Sequence, residues 1–344
     1  MKRLFTLMLA LLLFTLPALA EETVVPPQDG DRPAMGERDA GQRPDFAEGE
    51  QGAPGGRGGN GGPGGMASTE PDEELLAILA QVQDKYQLLS YTDEASGITL
   101  QYYLYTPEGY QEDTEYPLIM FIPDSRAAGR DPETSLTIGW GSVVWATPEE
   151  QAKHPCFVLI PIFTETVVDD NFNTSDQIDV AVSIIRHLTQ TYSIDESRLY
   201  TTGQSMGGMT SFHLNVKYPD LFAASLFVGS QWDNSILDVL ESDTFFYIVS
   251  AGDEKASTGQ SGLMAVFDQD GVGYSHGEWS AKDDAQAQAQ SVQALIDQGY
   301  SANFVTFTAG TTLPAGMSGS EHLTSFDYAY KLETVRDWLF AQSK

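Results

Sequence analysis

The chain holds a single cysteine, Cys156, in 344 residues. An intramolecular disulfide is therefore excluded, and stability has to come from a buried core, which a chain of this length can supply. Cys156 stands in Cys156-Phe157-Val158-Leu159-Ile160-Pro161-Ile162, an apolar run that reads as a buried strand rather than the surroundings of a reactive thiol. Positive charge is also scarce: 18 Lys and Arg face 49 Asp and Glu, a formal net charge of −31. Polyanions would be repelled, which argues against nucleic acid or anionic membranes as partners. The charge names no substrate, because an acidic surface also serves solubility alone.

Long apolar runs are missing too. The run from Leu4 to Leu16 is too short for a comfortable membrane span. It follows Met1-Lys2-Arg3 and precedes Pro17-Ala18-Leu19-Ala20, with Glu21-Glu22 next. This is the pattern of an export signal over residues 1–20, bacterial in form and cleaved after Ala20. A secreted or cell-envelope protein with no membrane attachment after cleavage is expected. Residues 21–70 have little to bury. Gln51 to Gly65 is nearly all glycine and proline without a three-residue period, and Gln28 to Glu50 is polar and charged. Such a composition reads as a disordered acidic tether. Residues 71–344 form the remaining domain. It opens with a helix started by Pro71-Asp72-Glu73-Glu74, whose Leu75, Leu76, Ile78, Leu79, Val82 and Tyr86 recur at helical spacing.

The chemistry centres on Arg198 to Met209. Leu199-Tyr200-Thr201-Thr202 is β-prone, Met209 to Val216 reads as a helix, and Gly203-Gln204-Ser205-Met206-Gly207 lies between them. Glycines two residues either side of a serine let the chain turn sharply from strand to helix and project the hydroxyl. The Met206 N–H then opens the helix and faces the place where an oxyanion would develop. Around this turn, strands and helices alternate. Strands are expected at Ile98–Tyr105, Tyr116–Ile122, Cys156–Ile162, Leu199–Thr202, Ala223–Val228, Phe245–Ser250 and Asn303–Phe307. Helices are expected at Ile178–Leu188, Asp284–Gln298 and Asp327–Ala341. The pattern implies an α/β fold, a mostly parallel central sheet with helices on both faces.

Sites in such sheets lie at the carboxyl ends of strands. Asp253 follows the Phe245–Ser250 strand and His322 follows the last strand. The order Ser205, Asp253, His322 is nucleophile, acid, base. Imidazole takes the serine proton, and a carboxylate orients the imidazole. His276, placed in a glycine-rich loop, is the rival base; His154, His187 and His213 read as packing or surface residues. Glu254 reads as turned to solvent. Nothing signals a metal or cofactor, and Asp169-Asp170-Asn171 reads as a solvated loop.

Tyr192 to Tyr200 running into Gly203-Gln204-Ser205-Met206-Gly207-Gly208 resembles the secreted esterase, polyhydroxybutyrate depolymerase and predicted peptidase group of α/β-hydrolases. Tyr218-Pro219-Asp220-Leu221-Phe222-Ala223-Ala224, the Gly252-Asp253 turn and Trp338-Leu339-Phe340 are also similar. The resemblance covers roughly Ile98 to Phe340. It implies the α/β-hydrolase fold and a serine triad acting on ester or peptide substrates, polymeric ones included. It departs from the group after Phe121-Ile122, where His-Gly and small residues usually supply the second oxyanion donor. Here Pro123-Asp124-Ser125-Arg126 stands instead, with the Ser125 N–H as candidate donor. A carboxylate facing the oxyanion would oppose catalysis, so Asp124→Asn is expected to raise turnover. The other reading turns Asp124 outward to pair with Arg126 or Arg130. Three functions stay open: an esterase, a peptidase of the same fold, or a hydrolase-like domain kept for binding.

Overall fold

The computed structural model describes residues 73–344. The expected export signal, the tether and the helix start at Pro71-Asp72 lie outside the described residues. In chain order the elements are α1 (Glu73–Val82), β1 (Tyr86–Thr92), β2 (Thr99–Tyr105) and β3 (Tyr116–Ile122). Three short helices follow, α2 (Thr134–Thr137), α3 (Trp140–Val143) and α4 (Pro148–Lys153), then β4 (Phe157–Ile162), α5 (Gln177–Thr191), β5 (Ile194–Gln204) and α6 (Met206–Lys217). The second half holds β6 (Ala224–Val228), β7 (Phe245–Ser250), α7 (Glu254–Asp270), β8 (Ser275–Trp279), α8 (Ala285–Ile296), β9 (Ala302–Phe307), α9 (Ser325–Lys331) and α10 (Glu333–Phe340).

The nine strands make one sheet in the order β1-β2-β4-β3-β5-β6-β7-β9-β8. β1 pairs antiparallel with β2, and β2 with β4; every other pair is parallel. β3, β4, β6, β7 and β9 are largely apolar because both faces are covered. Along β3, Leu118, Met120 and Ile122 face the core under α5, α6 and α7, while Ile119 and Phe121 face the core under α1, α8, α9 and α10. Burying one such side chain contributes about 1.5–3 kcal/mol, and here this replaces disulfides. Cys156 is fully buried just before β4, where burial pushes its thiol far above its usual value.

Several expectations are corrected. Tyr86 does not continue α1. The helix stops at Val82, a 3-10 turn spans Gln83–Lys85, and Tyr86 opens β1 opposite Tyr105. Its hydroxyl donates to the Ser142 carbonyl, a distant partner that helical spacing does not encode. The closing helix is two helices, with Leu332 at φ −70°, ψ 88° between them. α7 stands outside the helices expected from sequence, because its buried stripe of Ala256, Gln260, Leu263 and Phe267 shows little apolar periodicity. β8 contains His276, so that residue lies on an edge strand and not in a loop.

Candidate active site

The elbow forms at the β5–α6 junction. Ser205 has φ 52° and ψ −120°, a backbone state that costs a non-glycine residue about 1–3 kcal/mol. Two contacts hold it there. The Ser205 N–H donates to the Val228 carbonyl at 3.0 Å, tying the turn to β6. The flanking glycines permit backbone contact: a Cβ on Gly203 would lie 2.3 Å from the Gly207 carbonyl carbon, and one on Gly207 would lie 1.9 Å from the Ile122 oxygen. The carboxyl end of β3 therefore sits directly against the first turn of α6.

β5 and β7 are two places apart in the sheet, about 10 Å at the usual strand spacing. Ser205 and Asp253, which follow them, need an intermediary. The loop after β9 folds back and supplies it. His322 Nε2 lies 2.8 Å from Ser205 Oγ, and His322 Nδ1 lies 2.5 Å from Asp253 Oδ2. Asp253 is buried, and its second oxygen caps α7 by accepting from Ala256 N–H. The His322 ring meets Phe326 edge-on at 5.0 Å. His276 is remote from this chain of contacts and bonds Thr306 Oγ1 instead. His154 pairs with Asp337, His187 rests on Tyr91 and His213 on Trp232. Glu254 is exposed.

A cleft of about 450 Å³ opens over Ser205 and His322. Ser125 and Met206 line it, and neither backbone N–H has an acceptor among the described residues. Val168, Met209 and Ala256 make an apolar wall. At the rim Lys255 Nζ pairs with Asp170 Oδ2 at 2.7 Å. Asp169 is engaged by its own loop, and the hydrogen bonds from Asn173 hold its carboxyl below the usual value. Elsewhere, Glu150, His154 and Asp337 bring ligand atoms within 4.8 Å of one another. Arg336 already pairs with Glu150, and Lys153 lies 3.8 Å from Asp337.

Asp124 corrects the first sequence reading and, of the second, only the outward turn, since the pairing with Arg126 is present. Its carboxylate neither faces the cleft unpaired nor turns outward. It is 1% exposed and is held by Arg126, not Arg130, and by Gln204. Two residues with a bearing on the site escaped the sequence reading. Gln204 precedes the serine, and Glu321 precedes His322; adjacency to the expected nucleophile and base was the available signal for both.

No family model matches the chain. A stretch of 138 residues is 29% identical to the cutinase est2 of Thermobifida alba, covering 33% of this chain and 45% of that protein. Among solved structures, a thermostable esterase superposes with a TM-score of 0.62 at 24% identity, over 77% of this chain and 64% of that one. The chain thus spans less than two thirds of the length of either protein. With its mostly parallel nine-stranded sheet, covering helices and strand-to-helix elbow, the chain has the α/β-hydrolase fold.

Proposed function

We propose that the protein is a serine hydrolase that cleaves carboxylic esters, small or polymer-linked, through an acyl-enzyme. The observation that carries this reading is the continuous contact from Asp253 through His322 to Ser205, beside two N–H groups without acceptors among the described residues. Ser205 Oγ attacks the ester carbonyl while His322 Nε2 takes its proton. The carbonyl oxygen becomes an oxyanion, which the Met206 and Ser125 N–H groups receive. Asp253 holds the proton on Nδ1 and stabilises the imidazolium. His322 then protonates the departing alkoxide. Water, deprotonated by His322, attacks the acyl carbonyl, and the adduct breaks its bond to Ser205 Oγ as His322 returns the proton to that oxygen, releasing the acid and restoring both residues. Ester cleavage is favoured over peptide cleavage by the partial likeness to a cutinase.

The test is labelling by a fluorophosphonate, followed by turnover on panels of p-nitrophenyl esters and peptide amides. Ser205→Ala should abolish labelling, and Ser205→Ala or His322→Ala should lower ester turnover by about 10⁴ or more, because the group acts as a unit. Amide turnover exceeding ester turnover would favour a peptidase. Failure of the wild-type protein to label would favour a binding domain. An inactive His276→Ala with an active His322→Ala would overturn the assignment of the base. We also propose that residues 1–20 direct export and residues 21–70 tether the domain. Mass spectrometry of protein from the culture medium or envelope should find a chain starting at Glu21; an intact Met1 start there would refute cleavage.

A further inference from the structure

The replacement of the usual small oxyanion loop by Pro123-Asp124-Ser125-Arg126 looks damaging in sequence, yet the structure builds an ordered turn from it. The Asp124 carbonyl accepts from Ala127 N–H at 3.1 Å, closing a four-residue turn. The Asp124 carboxylate receives four further donors. Oδ1 accepts from the Arg126 backbone N–H and from Arg126 Nε, both at 2.9 Å. Oδ2 accepts from Arg126 Nη2 and from Gln204 Nε2, both at 2.8 Å. An aspartate that bonds a backbone N–H two residues on stabilises a turn from within.

The consequence is visible in the backbone donors. From Ser125 to Gly129, the N–H groups of Arg126, Ala127, Ala128 and Gly129 each have an acceptor. The Ser125 N–H alone in that segment has none among the described residues, and Ser125 lines the cleft with Ser205. The turn engages every donor except one. Gln204 adds the second element. It is the last residue of β5, bonded covalently to Ser205, so its amide links the turn to the nucleophile's own strand. The charge is balanced locally as well. A buried carboxylate is tolerated when paired and hydrogen-bonded, and the fork of Arg126 engages both Asp124 oxygens. That pairing raises Arg126 above its usual value, keeping it charged.

We propose that Asp124 is a positioning residue of the site: with Arg126 and Gln204 it holds the Ser125 N–H toward the oxyanion formed on the Ser205 adduct. The proposal rests on the serine-hydrolase reading above. It reverses the expectation from sequence, in which Asp124→Asn raises turnover. Losing one oxyanion donor outright costs about 10²–10³ in rate, and a donor that is loosened instead of deleted falls at or below the lower end.

The experiment compares wild type, Asp124→Ala, Asp124→Asn and Arg126→Gln. It measures kcat and KM on the best p-nitrophenyl ester, the rate of fluorophosphonate labelling, and the melting temperature. Asp124→Ala should lower kcat and the labelling rate by about 30- to 100-fold, with KM within about threefold. Asp124→Asn should recover about tenfold of that loss, because its Oδ1 still accepts the Arg126 backbone N–H. Arg126→Gln, at a partly exposed position, should stay folded and lose about three- to tenfold in kcat. A folded Asp124→Ala protein with unchanged or higher kcat would overturn the proposal, as would a loss confined to KM. If Asp124→Ala does not fold, wild-type kcat in both Asp124→Asn and Arg126→Gln would overturn it. A wild-type protein that neither labels nor hydrolyses any ester would instead sink the hydrolase reading, and this inference with it.

Discussion

Removing the Glu321 carboxylate tests whether His322, the proposed base, is held by its own neighbour. Glu321 is buried beside His322. Its Oε2 accepts from Ser250 Oγ and Thr312 Oγ1, each at 2.7 Å, and its Oε1 accepts from the Gly310 N–H. Ser250 ends β7, three residues before Asp253, so this one side chain ties the His322 loop to the strand that Asp253 follows. Glu321→Ala deletes all three bonds. A hydrogen bond to a charged group contributes about 1.5–3 kcal/mol, but the losses do not sum. Ser250 Oγ keeps a bond from the Gly252 N–H, and Thr312 Oγ1 keeps Thr324 Oγ1. We expect the unfolding free energy to fall by about 2–4 kcal/mol. Turnover should fall by about tenfold or more as the imidazole loses its placement. Glu321→Gln retains the volume, and the two hydroxyls can turn to accept from its amide, so about 1 kcal/mol is expected.

Acidity adds a second reading of the same residue. Burial opposes ionisation of Glu321, but the bonds from Ser250, Thr312 and Gly310 outweigh it and hold the carboxyl below its ordinary 4.5. A depressed folded value means stability that is fully present above 4.5 and lost as pH falls through the folded value. The gap between wild type and Glu321→Gln should therefore be constant at neutral pH and shrink in acid. Urea unfolding at several pH values and steady-state kinetics measure both effects. An Ala variant within about 0.5 kcal/mol of wild type and with unchanged kcat would refute the reasoning, as would a gap that ignores pH.

Two further changes probe the frame. Gly207→Ala places a methyl 1.9 Å from the Ile122 oxygen and 2.8 Å from the Pro123 oxygen. Backbone cannot yield there as a flexible side chain does, so the loss should reach about 3 kcal/mol, the upper end for overpacking; a wild-type melting temperature would contradict this. Asp243 is half-buried and faces the charge of Asp220, and desolvation and that charge together push its carboxyl from 3.8 up to about 6. Its raised folded value favours the native state below 3.8, and that advantage is lost as pH rises through about 6. Asp243→Asn should accordingly raise the melting temperature at pH 8 and leave it nearly unchanged near pH 4. An equal shift at both values would show that the charge is not responsible.

Local pattern carried much of this protein in its sequence. The strands β3, β4, β6, β7 and β9 read directly, because a strand covered on both faces must be apolar along its whole length. The elbow read because Gly203 and Gly207 answer a steric demand within a few residues of Ser205. The order of Ser205, Asp253 and His322 read because each follows a strand whose carboxyl end the sheet topology brings to one edge. What sequence could not carry were features set by partners far along the chain. Tyr86 fits a helical stripe equally well, and only pairing with Tyr105 makes it a strand residue. α7 buries Ala256 and Gln260 where periodicity looks for large apolar side chains; Gln260 suits that place because its amide bonds the Tyr247 and Val305 carbonyls of neighbouring strands. His276 occupies an edge strand through its pairing with β9. Asp124 is the sharpest case. In sequence it is a negative charge beside an oxyanion. In the fold Arg126, two residues on and already a candidate partner in sequence, takes up both its oxygens, and Gln204, 80 residues away, donates to one of them; a carboxylate's effect depends on which donors surround it, and tertiary structure alone brings Gln204 there.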